Sequence, residues 1–201
     1  GLNSWNTANV TNMNMMFFDA HSFNGDISNW NVSSVTTMSR TFESASAFNK
    51  PIDSWNIINV TDMSYMFSGA QSFNQALNGW NTSNVTNMLE MFAYANSFNQ
   101  ALNNWDVSKV SNTTRMFRSA ISFNSSLSNW NLTGTTSIAE MFLYASSFNQ
   151  NINSWNTSTI NNMYRTFGYA TNFNQPLNNW DMSNVTTIAH MFIDATSFNQ
   201  P

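Results

Sequence analysis

Apolar residues recur along the whole chain with a period of 25 residues. Phenylalanine occupies two columns of the repeat, which begin at Phe17 and Phe23, and tryptophan occupies a third: Trp5, Trp30, Trp55, Trp80, Trp105, Trp130, Trp155 and Trp180. A period of about 20–50 residues is typical of a solenoid, in which each unit buries its apolar face against its neighbours. The pattern predicts one repeat domain, residues 1–201, whose units begin near residues 1, 26, 51, 76, 101, 126, 151 and 176.

The second unit predicts the elements of one period. Ile27, Trp30 and Val32 have the spacing of the start of a leucine-rich repeat, and the alternation of Trp30 and Val32 predicts a short strand with both side chains inward. In residues 35–45 the apolar positions fall at i, i+3, i+7 and i+10, which predicts a short helix with Thr36 as its N-cap. The expected fold is therefore an α/β solenoid, leucine-rich-repeat-like, with a strand and a helix in each unit and a parallel sheet along one face.

Two columns without exceptions are expected to be structural. The tryptophans are placed in the core, with an exposed platform for sugars as the alternative. The asparagine column is expected to form an amide ladder that hydrogen-bonds the backbone of the turns. Its members are Asn24, Asn49, Asn74, Asn99, Asn124, Asn149, Asn174 and Asn199.

The composition argues against several classes of function. Charged residues make up 8% of the chain, with six basic against ten acidic, so no nucleic-acid partner is expected. No apolar run is long enough to span a bilayer, and we expect no membrane insertion of this segment. There is no cysteine, and His21 and His190 lie in the first and last units. We therefore expect no catalytic site, no metal and no cofactor.

The outward side of the predicted helix carries one column in which the sign of the charge alternates from Glu90 to Arg165: Arg40, Tyr65, Glu90, Arg115, Glu140, Arg165 and His190. Stacking would place each charge between opposite partners. Because exposed ion pairs contribute about 0–1 kcal/mol each, charge reversal at Glu140 is expected to cost little stability.

Two surfaces are candidates for binding a ligand. The predicted sheet face is short, polar and regular, with the column Asn6, Asn31, Asn56, Asn81, Asp106, Asn131, Asn156 and Asp181. Either strand geometry tolerates such residues, or the face matches a repetitive ligand such as a polysaccharide or another copy of the chain. The helix side varies from unit to unit, and its likeliest anchors for a specific partner are Tyr94, Tyr144 and Tyr169.

One stretch shows the repeat in full: FNQALNGWNTSNVTNMLEMF over residues 73–92. This motif resembles the repeat of BspA-like surface proteins, which is also common in mycoplasma-type lipoproteins. The resemblance covers the whole chain and implies a secreted or cell-surface protein that adheres to host matrix, other cells or polysaccharide. Because solenoid ends normally carry a polar cap and these do not, two further expectations follow. The chain is part of a longer array, or copies stack end to end into an extracellular filament.

Overall fold

The computed structural model describes residues 1–201, which wind into a stack of eight coils of 25 residues. Equivalent rings of neighbouring coils lie one above the other, with ring centroids 5.5 Å apart for Phe17 and Phe42 and 6.1 Å apart for Trp5 and Trp30. The single helix is a 3-10 helix over Leu2–Ser4. No strand longer than one bridging residue forms. The predicted α/β solenoid, with a strand and a helix in every unit and a sheet along one face, is therefore wrong.

Residues 35–45, which were expected to be helical, form consecutive tight turns. Every second N–H donates to a carbonyl of the next coil at 2.7–2.9 Å; the donors are Met38, Arg40, Phe42 and Ser44. The N–H groups that directly follow the last three of these donors each donate to the carbonyl three residues earlier, as in β-turns, and belong to Thr41, Glu43 and Ala45. Arg40 and Ser44 have left-handed backbone angles, with φ of 57° and 59°, which an α-helix cannot contain.

The spacing of the coils explains the absence of helices. Packed helices lie about 8–10 Å apart, so a helix in each coil requires the stack to spread on one side. Here the spacing between equivalent rings is small everywhere: 5.5 Å for Phe17 and Phe42, and 4.5 Å for Tyr144 and Tyr169 on the outer surface. Tight turns fit this spacing, because half of their N–H groups point along the stack to the next coil.

The predicted strand around Trp30 and Val32 is also replaced by turns. The N–H of Trp30 donates to Ile27 O, and the N–H of Val35 donates to Val32 O. The backbone of Thr36 donates to Thr11 O at 2.8 Å, and its hydroxyl donates to the same oxygen at 3.2 Å, so Thr36 links coils and does not cap a helix. The residue after Thr36 and its equivalents in other coils are joined by isolated parallel bridges. These bridges link Asn12 to Thr37, Thr37 to Asp62, Asp62 to Asn87, Asn87 to Asn112, Ser137 to Asn162 and Asn162 to Thr187.

One junction lacks this bridge. Between the fifth and sixth coils, Thr135 stands where most coils have valine, and its buried hydroxyl donates to Val110 O at 2.7 Å. The preceding Gly134 lies so close to the fifth coil that a Cβ atom would be 2.5 Å from Ser108 O. A glycine is therefore required where the regular ladder is interrupted.

The core lies along the axis of the stack. A single cluster of 52 buried residues contains the Phe, Met, Ala and Ile/Leu columns of the inner coils. Each coil is covered by the coils on either side, so the outermost coils expose side chains whose equivalents are buried elsewhere. Trp5 is 55% exposed and Ile188 is 54% exposed.

Candidate binding face

The two left-handed turns of each coil form one continuous surface, which we call the turn face. It consists of positions 14, 15, 18 and 19 of each coil, which are residues 39, 40, 43 and 44 in the second coil. All sixteen residues at positions 15 and 19 have positive φ, and only Gly69 among them is glycine. Left-handed backbone costs an ordinary residue about 1–2 kcal/mol. The chain therefore keeps side chains on this face at an energetic cost.

The turn face contains every arginine, glutamate and tyrosine of the chain, and the residue type changes from coil to coil. The arginines are Arg40, Arg115, Arg118 and Arg165; the glutamates are Glu43, Glu90 and Glu140; the tyrosines are Tyr65, Tyr94, Tyr144, Tyr164 and Tyr169. The remaining surface is dominated by Asn, Ser, Thr and Gln. A surface that varies in this way can contact a different feature of a partner at each coil.

Arg115 connects three coils through ion pairs. Its Nη1 lies 3.2 Å from Glu90 Oε1, and its Nε lies 2.9 Å from Glu140 Oε2. Arg118 also donates to Glu140 Oε2, at 3.2 Å. Glu140 is 8% exposed, so the expected exposed pairing at this residue is wrong. Glu140 thus accepts hydrogen bonds from two arginines that are themselves partly exposed, and replacing it would weaken several charged hydrogen bonds at once.

The structure brings two of the three candidate tyrosines together. The rings of Tyr144 and Tyr169 stack with centroids 4.5 Å apart and an interplanar angle of 18°. Tyr94 lies two coils away, 42% exposed, with the guanidinium of Arg118 5.7 Å from its ring. Desolvation of the hydroxyl and the neighbouring carboxylate of Asp194 raise the pKa of Tyr169.

The second candidate surface is an exposed column of Asx turns. The side-chain oxygens accept the N–H two residues later, as in Asn31 with Ser33 at 3.1 Å. Hydrogen bonds from the hydroxyl and the N–H of Ser108 hold the pKa of Asp106 below its usual range. All eight members are exposed, and those named as candidates are Asn31, Asn56, Asn81, Asp106, Asn131, Asn156 and Asp181. The turn geometry alone accounts for these residue types.

The tryptophan and asparagine columns link the coils internally. Trp30, Trp55, Trp80, Trp105, Trp130, Trp155 and Trp180 are 2–7% exposed, so they cannot form an exposed sugar platform. Each indole N–H donates to a carbonyl of the preceding coil, for example Trp105 Nε1 to Leu77 O at 2.9 Å. The side chain of Asn24 accepts the N–H of Asn49 at 3.0 Å, and this bond recurs at every junction up to Asn199.

A polar depression of about 500 Å³ lies on another side of the stack, and its seven lining residues are Ser126, Ser128, Gln150, Asn151, Asn153, Ser154 and Asn179. It has no apolar wall, whereas ligand pockets are mostly apolar with a few polar groups. No three His, Asp or Glu side chains gather as a metal site. The chain forms no apolar helix of the length that a bilayer requires.

Sequence reasoning missed two properties of this face. The left-handed turns had one weak signal, Gly69, which stands in the column of Ser44 and Tyr94. No feature of the sequence indicated which arginines form ion pairs with Glu140, because Arg115 and Arg165 flank it equally in the column.

Comparison with known proteins places this repeat in a family. Residues 1–100, 51–142 and 127–201 match a family described as "Mycoplasma protein of unknown function, DUF285". The chain belongs to this family. The three matched segments overlap and together extend over all eight coils. No curated protein and no solved structure matches the chain.

Proposed function

We propose that this DUF285 protein is a non-enzymatic binding scaffold of the cell surface whose turn face contacts a protein partner. The observation that carries the proposal is the concentration of all Arg, Glu and Tyr residues on this face. Tyrosine and arginine are the residues most enriched at binding hot spots. Seven of these nine tyrosines and arginines are held at left-handed positions where glycine would cost less, which favours a role for the side chains themselves.

The sequence supports the location of the protein at the cell surface and the kind of partner that it binds. The resemblance of the repeat to BspA-like surface proteins favours display outside the cell and adhesion to host matrix or other cells. The low charge and the regular Asn, Ser and Thr columns provide a neutral frame around the turn face.

Binding of the purified chain to immobilised extracellular-matrix proteins and to cultured cells tests the proposal. Replacing Tyr94, Tyr144 and Tyr169 together by alanine is expected to reduce binding at least tenfold. The matched control changes Asn31, Asn81 and Asn131 to aspartate, which other coils carry at the same position, and it is expected to bind normally. Unchanged binding of the tyrosine variant would refute the turn face as the contact surface.

The regular polar column gives the opposite pattern if it is the binding surface, because the three aspartates would then disturb binding to polysaccharide. End-to-end assembly of copies into a filament stays a separate prediction. Light scattering and negative-stain electron microscopy of the chain at micromolar concentration test it.

A further inference from the structure

Arg165 differs from the other three arginines of the turn face. Arg40 pairs with Glu43, and Arg115 and Arg118 pair with Glu140, all at 2.8–3.2 Å. Arg165 has no carboxylate within 4.0 Å, since Glu140 in the preceding coil pairs with the other two arginines. Its Nε is buried without a hydrogen-bond partner, as is that of Arg118, but in Arg165 neither Nη atom donates to any group of the chain either.

The ring of Tyr164 packs beside this unpaired guanidinium, and further aromatic rings lie on the same part of the turn face. The Cζ of Arg165 lies 5.0 Å from the centre of the Tyr164 ring, and that ring meets His190 edge-on at 6.1 Å. Gly168, three residues after Arg165, lies where any Cβ would be 2.9 Å from Leu143 Cδ1. The stacked pair of Tyr144 and Tyr169 belongs to the sixth coil and to the seventh coil, which also contains Arg165. We call Arg165, Tyr144, Tyr164, Tyr169 and His190 the Arg165 cluster.

The geometry points to the Arg165 cluster as a binding site for an acidic peptide segment of a protein partner, and this inference rests on the proposed function. A carboxylate of the partner accepts hydrogen bonds from the two Nη atoms, which a guanidinium presents in a planar fork. A neighbouring apolar or aromatic side chain of the partner packs against Tyr144, which is 43% exposed.

The charges around the site favour one carboxylate over a polyanion. Arg165 is the single arginine without an ion pair, and the exposed carboxylate of Asp194 lies beside Tyr169. The whole chain has a net charge of −4. A sulfated glycan needs several free cations along its length, and this face does not supply them.

A phage-displayed library of random dodecapeptides, selected on the immobilised chain, tests the inference. Enriched peptides are expected to contain Asp or Glu next to an apolar residue. A synthetic copy is then titrated by fluorescence polarisation against the wild type, R165A and R165K. We expect R165A to weaken binding at least tenfold and R165K to weaken it severalfold, because lysine keeps the charge but not the planar fork. Circular dichroism verifies that each variant is folded.

Arg40 provides the matched control, since it occupies the same column with φ of 57° but pairs with Glu43 and lies 4.1 Å from the Tyr65 ring. R40A is expected to bind as the wild type does. Changing the acidic residue of the peptide to its amide should weaken binding to the wild type and leave binding to R165A unaltered. D194N should strengthen binding by about twofold, because it removes a like charge near the ligand.

Three results would overturn the inference: equal binding by wild type and R165A, enrichment of peptides without acidic residues, or binding of heparin fragments with no peptide enriched. Each of these leaves the proposed function intact if the triple tyrosine variant still loses adhesion to matrix or cells. Loss of the proposed function would instead show as adhesion that none of the turn-face variants alters.

Discussion

The aromatic columns and the turn face belong to the same eight coils, yet their sequences behave in opposite ways. Phe17 and its equivalents never change, whereas position 18, the next residue, is different in all eight coils, with Phe18, Glu43 and Gly168 as examples. The ring at position 17 stacks on its own equivalent in the next coil, as with Phe17 and Phe42 at 5.5 Å. Replacing the ring in one inner coil would therefore deprive the rings above and below it of one stacking partner each.

On the turn face, backbone hydrogen bonds join the coils at every junction, and ion pairs such as that of Arg115 with Glu140 join them only at some. The N–H of Arg115 donates to Ala139 O, whatever the side chain at position 15. The side chain leaves the left-handed turn toward the surface and is free to vary. In this fold, a position that keeps one residue type in every coil is one whose side chain contacts its own equivalent in the next coil. A position whose residue type varies is one where the backbone makes the regular hydrogen bond between coils.

Removal of a ring from the middle of a column should have the largest effect on stability. Trp105 is 3% exposed and hydrogen-bonded to Leu77 O. W105A is expected to lower the free energy of unfolding by about 3–5 kcal/mol, as measured by urea denaturation. W5A is the matched control in the same column. Trp5 is 55% exposed, so its loss should cost less than about 1 kcal/mol. Equal losses would mean that stacking between coils is not what fixes the column.

The next largest effect is expected at Glu140, where the turn face behaves like the core. E140Q leaves Arg115 and Arg118 without their shared carboxylate and weakens charged hydrogen bonds from both, which should cost about 2–3 kcal/mol. E43Q, which loses one arginine partner, is expected to cost about 1–2 kcal/mol. Burial raises the pKa of Glu43, so its charged form is less favoured already. A loss at Glu140 below that at Glu43 would contradict the buried network.

Glycine at a left-handed position should stabilise the chain. Ser119 has φ of 56° and its hydroxyl makes no hydrogen bond, so S119G is expected to raise the free energy of unfolding by about 0.5–1 kcal/mol. Ser122, in the same coil, is exposed and does not have positive φ. S122G should lower stability by about 0.5 kcal/mol. If both substitutions shift the urea midpoint in one direction, backbone strain is not the cost of the turn face.

The smallest effect concerns pH and the Asx-turn column. Because hydrogen bonds from Ser108 lower the pKa of Asp106, its carboxylate stabilises the fold fully above the ordinary carboxyl pKa of about 3.9. That contribution disappears as the pH falls through the lower pKa of the folded state. The urea midpoint of the wild type should therefore exceed that of D106N at pH 7 and equal it at pH 2. N156D should gain the same pH dependence, and its absence would argue against the turn as the cause.

The sequence determined the repeat and its columns, because a strict period of 25 residues requires equivalent residues to face one another. The burial of Trp30 and Phe42 and the ladder of Asn24 follow from that requirement. The secondary structure within each coil did not follow from the repeat. Apolar residues at i, i+3, i+7 and i+10, such as Val35, Met38, Phe42 and Ala45, fit a helix and a series of tight turns equally well.

Tertiary structure alone decided between them. Equivalent rings of neighbouring coils lie 4.5–6.5 Å apart, which is too close for helices about 10 Å wide, and this spacing turns half of the N–H groups toward the next coil. The same holds for the charges. In sequence, Glu140 stands between Arg115 and Arg165 in its column, and only the folded chain places it with Arg115 and Arg118. Arg165 is left unpaired because side-chain partners are chosen by direction and reach in three dimensions, which the order of residues does not contain.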